Sequence, residues 1–202
     1  RFVIKHDIKL TDSDVDSIAY KDVGKLELEI DANGRTFDAS AVTIDKAKPL
    51  FNTFTGTLRN IRLINANIKG DSTLADMFDG DLINATVSGN LTPNSAVAGG
   101  VVKTLKGNMI AVDGMVSVVS GQNYARIGGL VGEWYGTGES DKILYCSNAG
   151  QVVATGAVST AGGIVGVVSG GGEISYSYNI NSVLAGYSGT TDSSRCGGAI
   201  RI

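Results

Sequence analysis

Proline, histidine, cysteine and tryptophan are nearly missing from this 202-residue chain: two prolines, one histidine, two cysteines and one tryptophan. A single histidine rules out any site that needs two imidazoles on one metal, the HExxH zinc arrangement included. Two cysteines cannot make a disulfide-dense scaffold. They allow one bridge, Cys146 to Cys196, but the two fall at different points of the repeats described below, which favours two buried small apolar side chains. Aromatic residues make up only 6% of a chain that is 43% hydrophobic, so its interior must be built from Val, Ile, Leu and Ala in thin layers. No apolar run approaches the roughly 18 residues of a membrane span. Nor is there a basic cluster, and a net charge of −3 gives no nucleic-acid footprint. The opening Arg1-Phe2-Val3-Ile4 has no signal-peptide pattern, so a mature or excised chain is the expectation.

Glycine is abundant, with 28 residues and no collagen period. Four glycine pairs, each followed by aliphatics, recur in the C-terminal half: Gly99-Gly100-Val101-Val102, Gly128-Gly129-Leu130-Val131, Gly162-Gly163-Ile164-Val165 and Gly197-Gly198-Ala199-Ile200. Their steps of about 29, 34 and 35 residues lie in the range of stacked repeats. A glycine pair adds nothing to a strand by itself, so its return marks a backbone position where a Cβ has no room or φ must be positive. Between the pairs run alternating segments, such as Leu58–Ile68, Leu82–Leu91 and Met109–Val118, each with a small polar residue near the middle that allows a sharp bend. A further glycine corner recurs at Gly80, Gly107, Gly136 and Gly170.

Strand, bend, strand, corner and strand make one coil, and stacked coils make an all-β parallel β-helix or β-solenoid. Five to six coils would form a tube on the order of 25–30 Å long. Right-handed winding is the expectation from parallel crossovers in general. Residues 1–48 read as an atypical N-terminal cap with the first coil, and 49–202 as the repeats in one continuous domain. Within the cap, Asp31-Ala32-Asn33-Gly34 signals a hairpin or tight turn. The end, Gly197 to Ile202, reads as a strand without a polar cap, the mark of a longer parent or of a docked neighbour.

Certain runs have a family likeness. RIGGLVGEWYG at 126–136, ILYCSNAGQVVATG at 143–156 and AGGIVGVVSGGG at 161–172 resemble the GLUG repeat. KHDIKL at 5–10, EIDANGRTF at 29–37 and PLFNTFTGTLRNIRLINANIKG at 49–70 are similar to the N-terminal solenoid of IgA-protease-type bacterial zinc metallopeptidases. The resemblance implies a bacterial extracellular or cell-surface β-solenoid, found in secreted proteases and adhesins alike, with no active site in the repeats and no cofactor. It implies as partner a host protein, a glycan or a neighbouring domain. The HExxH motif of those peptidases is absent, since Asp7 follows the lone His6, which reads as a surface or capping residue.

Several residues invite a chemical reading. Trp134 and Tyr135, with Tyr124, Tyr176, Tyr178 and Tyr187 on neighbouring coils, could stack on sugars or anchor a protein; the alternative is that they fill corners of the tube. For Trp134 the aliphatic equivalents in other repeats favour filling, whereas Tyr135 stands opposite polar equivalents. Asp12, Asp14 and Asp16, with Asp22, resemble calcium-loop spacing but lack the glycine and the final carboxylate such a loop needs. Asp76, Asp79, Asp81 and Asp113 recur where polysaccharide-cleaving β-helices cluster carboxylates, with few basic residues nearby; solvated turn acids are the plainer reading. GVVSGGGE at 166–173 lacks the Lys-Ser/Thr ending of a phosphate loop. A Thr-x-Thr ladder for ice or crystal binding is not present either. The sequence therefore leads to a non-catalytic spacer and binding surface, with a β-helix polysaccharide lyase or hydrolase as the alternative.

Overall fold

A computed structural model describes residues 1–14, 28–45, 48–186 and 195–198. Among them every strand pairing is parallel, and the chain winds into a β-solenoid of about six turns. The N-terminal levels are short: β1 (Phe2–Val3) and β2 (Ile8–Thr11) stack on β3 (Leu28–Asp31) and β4 (Thr36–Ala41). Those in turn stack on β5 (Phe51–Lys69), which is followed by β6 (Ala75–Thr92) and β8 (Val102–Ser120). In the later coils the same path breaks into β10 (Val131–Trp134), β11 (Thr137–Leu144), β12 (Ser147–Asn148) and β13 (Val152–Ala154). A last level follows with β15 (Val165–Val168), β16 (Gly171–Ser175), β17 (Tyr178–Asn179) and β18 (Val183–Ala185). A second sheet closes the tube, with β7 (Val97–Gly99), β9 (Arg126–Gly128), β14 (Thr160–Gly162) and β19 (Arg195–Gly197) in consecutive register.

The glycine pairs end the strands of this second sheet. At the first glycine of a pair a Cβ would stand 2.0 Å from the Val102 carbonyl oxygen at Gly99, and 1.9 Å from that of Val131 at Gly128. At the second, Gly100 and Gly129, it would meet the backbone oxygen of the next coil's glycine at 2.1 Å. Close approach alone therefore selects glycine here; none of these residues has a positive φ. The aliphatics that follow, Val101, Val102, Leu130, Val131, Ile164 and Val165, are fully buried.

Columns of like side chains fill the tube, because in-register parallel strands place equivalent residues about 4.8 Å apart. Phe54 and Phe78 stack with ring centres 4.9 Å apart, and Leu105 and Trp134 continue their column. Leu58, Leu82, Met109 and Ile143 form another. Each such side chain contributes about 1.5–3 kcal/mol on burial before ordering entropy is counted, so no coil is stable alone. The Leu63–Val87 column changes character in the later coils: Gly114 comes next, followed by the fully buried Asn148. Its amide donates to the Gly150 carbonyl and to Asn179 Oδ1, both at 2.8 Å, and its oxygen accepts from Gly150 N–H at 3.0 Å. The buried polar group is thus satisfied within its own ladder.

Of the two readings of Asp31–Gly34, the tight turn holds and the hairpin does not: it is a corner between β3 and β4, both paired in parallel to β5, with Arg35 N–H donating to the Ala32 carbonyl at 2.8 Å. Asn33 and Gly34 there take φ of 53° and 70°. The expectation of two buried cysteines needs correction. Cys196 is exposed, while Cys146 is buried with its Sγ near the Met109 and Leu144 carbonyls; both are free thiols. Cys196 stacks on Ala161, an inward position, but it lies on the last described coil with no described strand beyond it.

Candidate binding surface

From β5 onward, the bend between the two lateral stretches of each coil is a single left-handed residue. Register aligns Asn60, Asn84, Ala111, Tyr145 and Tyr176 in one column, with φ of 57°, 52°, 53°, 55° and 49°. Asparagine suits this conformation, because its short amide bonds locally and tolerates αL. In the early coils it also builds a ladder along the outside of the tube. Asn84 Nδ2 donates to Asn60 Oδ1 at 2.7 Å, and Asn60 Nδ2 donates to Asp31 Oδ1 at 2.9 Å. Asp31 further accepts from Asn33 N–H, Arg1 and Arg59, and these bonds to its charged form lower its pKa to about 2.

Further along the column the chemistry changes. Ala111 carries no group to continue the ladder. Tyr145 and Tyr176 follow, their rings stacked with centres 5.1 Å apart at an interplanar angle of 21°. Both rings are exposed, Tyr145 at 57% and Tyr176 at 73%. Tyr178, two residues past Tyr176, is exposed at 58% and stands in register with Ser147 and Asp113. Sequence reasoning singled out Tyr176 and Tyr178 and missed Tyr145, whose signal was its place opposite Tyr176 in the next coil.

Trp134 is not part of any surface. It is buried at 1% exposure in the phenylalanine column, its indole N–H donates to the Gly107 carbonyl at 3.1 Å, and its ring occupies the space above Gly172. Tyr135 is partly exposed and donates to Glu133, which raises the phenol's pKa. Glu133 also accepts from Ser169 and pairs with Arg126, so Tyr135 belongs to a separate polar cluster. Tyr124 is exposed, and Tyr187 lies outside the described residues.

The carboxylates do not form one group. Asp79 and Asp81 flank Gly80 on an open concavity of about 640 Å³ lined also by Glu29, Thr55, Thr57 and Arg59. Lys106 stands beside Asp79 in register, and Asn108 donates to Asp81 at 2.8 Å. Asp76 instead accepts from Ser72, and burial raises its pKa. Asp113 lies on the tyrosine face and accepts from Ser147 Oγ. Of the calcium candidates, Asp12 accepts from Thr43 N–H and Oγ1, and Asp14 from Thr11 N–H and Oγ1. Asp16 and Asp22 lie outside the described residues. No group of three or more potential metal ligands occurs among the described residues, and His6 is exposed.

Among the described residues no helix is long and apolar enough to cross a membrane. Comparison with family models, characterised proteins and solved structures finds no match for this chain.

Proposed function

We propose that this chain is a non-catalytic β-solenoid module of a bacterial secreted or cell-surface protein, a rigid spacer that presents a lateral binding surface to a glycan or a host protein. The observation that carries the reading is the exposed tyrosine face of the later coils, where the early coils present an asparagine ladder. Tyrosine is among the residue types enriched where the binding energy of an interface concentrates. The GLUG-like glycine pairs support the extracellular assignment, and a module holding substrate for a metallopeptidase fits within it. The test is to immobilise the chain and screen polysaccharides and matrix proteins for binding while assaying the same polysaccharides for cleavage. Binding without cleavage supports the module.

One observation favours a second reading. The concavity holds Asp79 and Asp81 with Arg59, which is paired to Glu29 and Asp31, and Lys106 stands in register beside Asp79 on the next strand. Two carboxylates are what glycoside hydrolysis needs. Cleavage in that screen, abolished by Asp79→Asn or Asp81→Asn, would replace the first reading with this one.

A further inference from the structure

The left-handed column has a gap in it. Asn84 lies one coil before Ala111 and Tyr145 one coil after, so the two flank a position from which the side chain has been cut back to a methyl group. Coil spacing separates them by about 10 Å, and the Tyr145–Tyr176 separation of 5.1 Å shows the spacing kept at this corner. A six-membered ring seated over Ala111 would occupy the place of the missing side chain. It would lie one coil step from the Tyr145 ring, as Tyr176 does on the other side.

The walls of this notch differ in chemistry. On one side is the face of Tyr145, an apolar platform with a negative quadrupole that attracts C–H groups. On the other is the Asn84 carboxamide, which gives one Nδ2 hydrogen to Asn60 and ends the ladder there, leaving its Oδ1 as an acceptor. Along the rim Asp113, two residues past Ala111 and exposed, uses one oxygen for Ser147. Thr86 stands in register beside it. One apolar wall facing one polar wall with hydroxyl and carboxylate acceptors at the rim suits a pyranose, which has a C–H face and equatorial hydroxyl groups. A phenylalanine side chain would bring no donor to the Asn84 oxygen or to the Asp113 oxygen that Ser147 leaves open, whereas a sugar brings several hydroxyl groups.

The backbone gives an independent reason to look here. A non-glycine residue with positive φ is costly, and a bulky one is an outlier. The fold answers this requirement with asparagine at Asn60 and Asn84, then departs from it at Ala111, Tyr145 and Tyr176. Departures from a fold's own solution mark positions kept for something other than folding.

We propose that the notch over Ala111, between the Tyr145 ring and the Asn84 carboxamide, is a hexopyranose-binding subsite. This rests on the module reading above and names its ligand class. The test is a ¹H–¹⁵N NMR titration of the intact chain with methyl glucosides, galactosides, mannosides and N-acetylglucosaminides and their short oligosaccharides. It is run on the parent, on Ala111→Asn, which fills the notch by extending the ladder, and on Tyr145→Asn, which removes the platform. At least one sugar should shift the amides of Ala111, Asp113 and Tyr145, and each variant should weaken it tenfold or more while thermal unfolding shows an intact fold. Parent-like sugar binding by Ala111→Asn overturns the subsite but leaves the module standing, with its contact elsewhere. Shifts with N-acetyltryptophanamide and none with any sugar overturn the ligand class in favour of a protein partner. No response to any probe overturns the subsite; protein binding in the broader screen would then still uphold the module.

Discussion

At the bend, one backbone conformation is met by three kinds of residue, and the comparison gives each a cost. Left-handed φ disfavours a Cβ by roughly 1–2 kcal/mol, and asparagine recovers part of this through local hydrogen bonding. Ala111 recovers nothing, since its methyl cannot accept or donate. Ala111→Asn should therefore stabilise the protein by about 0.5–1 kcal/mol, through relief of φ and one more rung on Asn84. A rise in thermal midpoint checks this; a fall would mean that the notch cannot hold an amide. Tyr145 offsets its own strain by stacking on Tyr176, worth about 0.5–1.5 kcal/mol, so Tyr145→Asn should leave stability nearly level. The glycine corner allows no such exchange. Gly80 has a φ of 137°, and a Cβ there would sit 2.1 Å from the Gly56 carbonyl oxygen of the coil below. Gly80→Ala should cost about 3 kcal/mol or more, read as a loss of denaturation midpoint.

Between neighbouring strands, backbone pairing sets the spacing and side-chain ladders along the outside fix the register. Asp31 anchors the longest of these, so charge enters the stability of the early coils. With a folded pKa near 2 against an ordinary value near 4, it contributes stability in full above about pH 4. That contribution disappears as pH falls from about 4 to 2. Asp14, Asp38 and Asp71 are lowered too and add to the same loss, whereas Asp76, raised by burial, works against it. Asp31→Asn keeps an acceptor for Asn60 but removes the titration. Its thermal midpoint should depend less steeply on pH below 4 than the parent's, and equal slopes would show that Asp31 is not the group responsible. Which parts of these elements could be read in the sequence depends on whether a column keeps its residue. The glycine pairs and the corner at Gly80, Gly107, Gly136 and Gly170 repeat their identity, because no side chain substitutes for a missing Cβ, and they were legible. The bend column was only half so, since Asn60 and Asn84 give way to Ala111, Tyr145 and Tyr176 and only register shows them to be one position. Trp134 illustrates the reverse case. Its aliphatic equivalents pointed inward, but the room for an indole comes from Gly172, a residue of another coil.

Across the whole molecule, stability is close to a sum over coils and over the contacts between neighbours, which makes position along the axis the deciding variable. β6 is paired along nearly its whole length to β5 on one side and β8 on the other. Opening it requires breaking two long ladders together with the Phe54–Phe78 and Leu58–Leu82–Met109 columns. The strands β16, β17 and β18 are short and pair on one side only among the described residues, with Ile180 and Leu184 exposed beside them. Their cooperative unit is smaller, so they should open locally while the middle of the tube stays closed. Hydrogen exchange should accordingly be slowest in β6 and the first half of β8, and faster by orders of magnitude in β16–β18. The tyrosine face straddles this gradient, with Tyr145 on the more stable coil and Tyr176 on the less stable one. A sugar held at Ala111 would bear on Tyr145 and leave Tyr176 behind it, so bound ligand should slow exchange near residues 109–113 more than near 174–178. Uniform exchange along the axis would refute the coil-by-coil account; slowing confined to 174–178 would move the contact to the outer tyrosine.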